Sequence, residues 1–83
     1  MNSGITITIE YFAQLREQAG VSREAWQPVA RDAAGLYEEL RRHHGFSLER
    51  EHLRVAVNDG FAEWNRELQD GDRVVFIPPV AGG

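Results

Sequence analysis

Arg73-Val74-Val75-Phe76-Ile77-Pro78-Pro79-Val80-Ala81-Gly82-Gly83 joins a strand and a tail in one run. The stretch up to Ile77 is nearly all apolar, the composition expected of a central strand buried on both faces. Pro78 and Pro79 fix φ and favour an extended, semi-rigid backbone, so the residues after them should project away from the body. Gly82 and Gly83 have no side chains, which predicts a slim, flexible thread carrying a terminal carboxylate. From Pro78 to Gly83 that thread spans at most about 20 Å when extended. It suits a deep, narrow channel on a second protein.

Upstream of this run, Asp70-Gly71-Asp72 reads as a turn, and Asn58-Asp59-Gly60 as a hairpin turn between Leu53–Val57 and a short partner strand from Phe61 to Trp64. At the other end, Ile5-Thr6-Ile7-Thr8-Ile9-Glu10-Tyr11 alternates without a break, the pattern of a half-buried strand. Ile5, Ile7, Ile9 and Tyr11 share one face; Thr6, Thr8, Glu10 and then Phe12 share the other. Ala13 to Ala19 predicts a short helix closed by Gly20. Ser22 to Val29 predicts a second strand that Pro28 confines to an edge or to its own end.

The main helix should start at Asp32 as N-cap, run to about His44 and stop at Gly45. Ala33, Leu36, Tyr37, Leu40 and His44 form its buried stripe, leaving Glu38, Glu39, Arg41 and Arg42 toward solvent. Gly35 weakens this helix by about 1 kcal/mol relative to alanine, and a close approach to the sheet would account for it. The order of elements predicts an α+β domain, a mixed sheet of five strands packed on one main helix plus a short one. At 83 residues, without repeats or linkers, positions 1–83 read as a single domain with 78–83 as its tail.

Composition narrows the chemistry. The net charge of −4 disfavours general nucleic-acid binding, which needs a basic surface, and favours a basic partner surface. No apolar run is long enough to span a bilayer and no basic segment leads into an apolar core at the start, so a cytoplasmic location is expected. Cysteine is absent, which removes disulfides, thiolate metal sites and any thioester relay through this chain's own side chains. All nine basic residues are arginine, so an activated C-terminus has no ε-amine to react with on its own chain. His43, His44 and His52 are the only imidazoles; adjacent residues point to different helix faces, so no metal site is expected, and the helix dipole suits the first two. No Ser-His-Asp arrangement and no phosphate-binding glycine loop is present, so the chain has no means of activating its own carboxylate.

Large apolar residues outside the core would mark a docking surface. Phe12 qualifies by parity, Ile77 shares parity with Arg73, and Phe61 comes directly after a turn. Each of the three alone fits completion of a small core equally well; their convergence near the base of the tail would favour docking.

Tyr11-Phe12-Ala13-Gln14-Leu15-Arg16-Glu17 with Gly20, Val55-Ala56-Val57-Asn58, Leu68 with Asp70-Gly71-Asp72-Arg73-Val74, and Pro78-Pro79-Val80-Ala81-Gly82-Gly83 occur in this order. From Ile5 onward the chain resembles the small subunits of molybdopterin synthase, ubiquitin-like sulfur carriers with a β-grasp fold. The resemblance implies that Gly83 is adenylated by a separate, E1-like ATP-dependent activating enzyme. It is then converted to a thiocarboxylate with sulfur from a sulfurtransferase. No cofactor would be bound; AMP and sulfur would be transient covalent passengers. The thiocarboxylate would attack a pterin precursor held by the large catalytic subunit, in an assembly of two small and two large subunits. Pro78, Pro79, Val80, Ala81 and Gly82 would thread into the partner's active site, and Phe12, Phe61, Ile77 and Arg16 would contact partners. Three rival readings share the Gly-Gly ending or the fold: a carrier for thiamine thiazole synthesis, a ubiquitin-like protein modifier, and an inert interaction module.

Overall fold

The computed structural model describes residues 4–79. The tail positions Val80, Ala81, Gly82 and Gly83 lie outside them, as do the first three residues.

Five strands form one sheet: β1 (Ile7–Tyr11), β2 (Arg23–Trp26), β3 (Arg54–Val57), β4 (Gly60–Ala62) and β5 (Arg73–Ile77), in the order β2-β1-β5-β3-β4. Helix α1 (Ala13–Ala19) comes after β1, and α2 (Ala33–His44) after β2. The sheet is mixed: β1 and β5 run parallel, and every other pair is antiparallel. The sheet and its two helices form the α+β arrangement that the order of elements predicts.

Alternation decides which face is covered. Ile7, Ile9 and Tyr11 on β1, Val55 and Val57 on β3, and Val74 and Phe76 on β5 are all buried. They pack against Leu15 of α1 and Ala33, Leu36, Tyr37 and Leu40 of α2. The Tyr37 ring lies 5.1 Å from that of Phe76 and its hydroxyl donates to the Leu48 carbonyl at 2.8 Å. Trp64 stacks on Phe76 at 6.1 Å.

Helix α2 begins as predicted, with the Asp32 carboxylate accepting from the Gly35 amide at 2.9 Å, and closes at Gly45 with φ 77°. The loop after β4 completes the start of this helix: the Arg66 and Trp64 carbonyls accept from the amides of Ala33 and Ala34. Asn58 and Asp59 both take positive φ, 53° and 75°, between the paired residues Val57 and Gly60, which is the backbone a two-residue hairpin turn requires.

Several expectations need correction. Strand β5 is buried on one face only; Arg73, Val75 and Ile77 are half-buried, because among the described residues both α-helices pack on the other side of the sheet. Strand β2 ends at Trp26, short of Val29, and the chain bends over Val29, Ala30 and Arg31 on its way to α2. Strand β4 stops at Ala62, and Trp64 reaches the core from the loop beyond it. Gly35 faces the loop and not the sheet: a Cβ there would sit 2.8 Å from the Ala30 Cβ. Glu39 is tied down too, accepting from the amides of Val29 and Ala30 at 3.0 and 3.2 Å. That carboxylate anchors the connection between β2 and α2.

Candidate docking face at the base of the tail

The uncovered side of the sheet can be read from the register. Glu10 lies opposite Val75, Val75 opposite Ala56, and Ala56 opposite Phe61. One step toward the tail, Ile77 lies opposite Arg54. Phe12 has extended backbone (φ −129°, ψ 155°), so the alternation of β1 carries through it onto this same side. Tyr11 pairs with Phe76 in the parallel ladder, so the next step sets Phe12 beside Ile77. Immediately afterwards Ala13 turns sharply with φ 53°, and the Phe12 carbonyl accepts from Leu15 and Arg16 as α1 begins. That turn leaves Phe12 at the rim of the sheet.

The three aromatic and aliphatic residues singled out from the sequence therefore share one face. Phe12 is 49% exposed and Phe61 71%, while Ile77 is half-buried between them. Val75 and Ala56 complete an apolar band across β5 and β3. Pro78 and Pro79 continue directly from Ile77 and line a hollow of about 270 Å³ with His52, Leu53 and Arg54. Arg16 is exposed on α1, and no described contact joins its side chain to this band. Val80, Ala81, Gly82 and Gly83 come after Pro79 in the chain, outside the described residues.

Charge on this face is organised as well. Glu10 stands between Arg23 and Arg73, at 3.7 and 3.5 Å. Arg73 also pairs with Asp59, whose carboxylate, more than any other group, raises the affinity of the guanidinium for its proton. Arg54 lies over the Phe61 ring, 5.7 Å from its centroid. The sequence does not reveal this residue as a member of the site. Its outward parity is legible from Leu53, Val55 and Val57, but its place opposite Ile77 depends on a pairing of strands distant in the chain.

His43 and His44 lie away from this face, whereas His52 lines the hollow beside Pro78 and Pro79. His44 meets the Glu24 carboxylate at 2.7 Å, and Tyr11 donates its hydroxyl to the same oxygen at 2.5 Å. Burial pushes the Glu24 carboxyl up, but the Tyr11 and His44 hydrogen bonds outweigh it and hold the group below its usual range. Burial pushes the Tyr11 hydroxyl well above the usual phenol range, and Glu24 reinforces the effect. The His43 and His44 rings, although adjacent in the chain, both approach Trp26, at 5.0 and 6.4 Å. This cluster clamps the edge strand β2 onto the end of α2. Among the described residues, no three acidic, histidine or cysteine side chains converge to hold a metal, and no helix is long and apolar enough to cross a membrane.

Residues 9–83 match the ThiS family. The molybdopterin synthase sulfur carrier subunit of Escherichia coli is 37% identical to this chain over 84 aligned positions, covering 93% of the chain and 99% of the relative. Among solved structures, the complex of subunits 1 and 2 of the molybdopterin-converting factor from Helicobacter pylori contains a chain 26% identical, with a TM-score of 0.64, covering 95% of this chain and all of that one. The small archaeal modifier protein 1 of Haloferax volcanii superposes with a TM-score of 0.75 at 25% identity, over 93% of this chain and all of the other. The fold is the ubiquitin-like β-grasp.

Proposed function

This chain belongs to the ThiS family, and on that premise we propose that it is the sulfur-carrier subunit of a molybdopterin synthase, with the carboxyl group of Gly83 as its reactive end. The observation that carries the reading is the meeting of Phe12, Ile77 and Phe61 on the open sheet face where Pro78 and Pro79 leave it.

A free carboxylate is a poor electrophile. Attack of the Gly83 carboxylate on ATP, within an E1-like activating enzyme, gives an acyl-adenylate and releases pyrophosphate. Sulfur delivered by a sulfurtransferase at the oxidation level of sulfide attacks the acyl carbon, AMP leaves, and the product is a terminal thiocarboxylate. This anion is a soft nucleophile that ionises readily. In the large subunit its sulfur displaces an oxygen substituent of the pterin precursor, water then cleaves the resulting thioester to free the Gly83 carboxylate and leave the sulfur on the pterin, and two such deliveries build the dithiolene. Hydrolysis of the adenylate or of the thiocarboxylate before transfer is the competing loss, so the partner must enclose the tail and control the access of water. Ala81 and Gly82 are the positions whose small size admits the tail to such a channel. The chain contributes no catalytic side chain; it docks, orients the tail and carries the sulfur, in the cytoplasm and in an assembly of two small and two large subunits.

One apolar face serving two successive partners makes their binding mutually exclusive, which orders activation before delivery. Intact-mass analysis of the protein isolated from its native cell tests the reading. The expected result is a species in which one oxygen is replaced by sulfur, localised to Gly83, that is consumed when large subunit and pterin precursor are added. A tail that is never thiolated in cells making the cofactor refutes it. A ladder of isopeptide conjugates in its place would assign the chain to protein modification.

A further inference from the structure

The cations of the open sheet face fall into two groups. Arg23 and Arg73 are answered within the chain by Glu10 and Asp59. Arg54 is not: among the described residues it forms no ion pair, and its guanidinium rests over the Phe61 ring. Its ladder partner is Ile77, the last strand residue before the prolines. Hollows of about 440 and 270 Å³ open on its two sides, one bounded by Phe61, Ala62 and Trp64, the other by Ile77, Pro78 and Pro79. Glu51 lines both hollows without pairing with Arg54.

We propose that Arg54 is a partner-recognition residue, and that the large subunit of the synthase meets it with a carboxylate. The inference rests on the sulfur-carrier reading above and names the chemistry of its partner. A surface that covers Phe61 and Ile77 must also cover Arg54, which lies between them. A guanidinium stripped of water without a counter-charge is costly, and its planar fork is best answered by two carboxylate oxygens. Stacking on Phe61 biases the fork toward this position before the partner arrives, which reduces the side-chain freedom lost on binding. The apolar band supplies contact area, while Arg54 sets orientation and rejects surfaces that lack the acid.

The test measures the affinity of the full-length chain for its own organism's large subunit by calorimetry, at low and high salt. Arg54→Gln should weaken binding roughly 30-fold or more and flatten the salt dependence, whereas Arg54→Lys should recover part of the loss. Phe12→Asp serves as the control for the apolar band. If Arg54→Gln binds within about twofold of the parent while Phe12→Asp releases the large subunit, the proposal falls and the carrier reading stands. If the parent chain does not bind the large subunit at all, both fall.

Discussion

Replacing Asp72 with alanine should loosen the start of β5, the strand from which the tail departs. The side chain of Asp72 is buried and its oxygens are answered from several sides. They accept from the Gln69 amide at 2.8 Å, the Asn58 side-chain amide at 2.9 Å and the Arg66 guanidinium at 2.9 Å. The backbone carbonyl of Asp72 accepts from the Thr8 amide, tying the same residue to β1. Breaking a fully buried charge pair costs about 3–5 kcal/mol. Here the Arg66 side chain is 31% exposed and Asn58 is exposed, so water answers part of what alanine abandons. A loss of about 2–3 kcal/mol is expected, and at 4–8 °C per kcal/mol this lowers the melting midpoint by roughly 10–20 °C. The pH dependence supplies a second arm. Burial alone would raise the carboxyl, but the Gln69, Asn58 and Arg66 contacts outweigh it and lower it from its reference value of 3.8. A group lowered in the folded state contributes its stability above the unfolded value and loses it as pH falls through the folded one. The gap between parent and Asp72→Ala in urea unfolding should therefore be full near neutral pH and close in strong acid. A gap under about 0.5 kcal/mol at neutral pH, or one that persists unchanged at about pH 2, would refute the reasoning.

Gly35→Ala improves helix propensity by about 1 kcal/mol, yet its Cβ would meet the Ala30 Cβ at 2.8 Å and the Asp32 Oδ1 at 3.3 Å. The overlap and the disturbed N-cap should win, with a net loss of about 1 kcal/mol in urea unfolding; a raised midpoint would contradict this. Phe12→Asp and Ile77→Asp should each weaken large-subunit binding by roughly 30-fold or more. The melting midpoint of the Phe12 variant should hardly change, since that ring is half exposed; co-purification and thermal melting check the two halves. Tyr11→Phe keeps the buried ring and removes the donor to Glu24. A loss of about 1 kcal/mol is expected, measured by denaturant midpoint, and no loss would mean that His44 alone suffices to hold Glu24.

Local signals carried most of the architecture. The unbroken alternation from Ile5 to Tyr11 sorted the two sides of β1, and Asp32 and Gly45 bounded α2 because capping is a local affair. The same parity placed Phe12 on the open side of the sheet, where Ile77 and Phe61 also lie. What stayed illegible depends on distant pairing. The apolar composition of β5 suggested two covered faces, whereas the side carrying Val75 and Ile77 is only half covered; an apolar residue on an open sheet face looks the same in sequence as one in the core. Glu24 and Glu39 read as solvated acids or passed unremarked, because their partners, Tyr11, His44 and the amides of Val29 and Ala30, come from other elements. Arg54 was hidden for the same reason: only the β3–β5 register sets it against Ile77.

The parallel pairing of β1 with β5 has a consequence for synthesis. The strand in the middle of the sheet is the last of the five to leave the ribosome, and until it emerges β1 and β3 have no common neighbour. A polypeptide cut short by premature termination before Ile77 leaves the apolar sides of both open to proteases. The sheet is thus completed only by the strand that leads straight into Pro78 and Pro79.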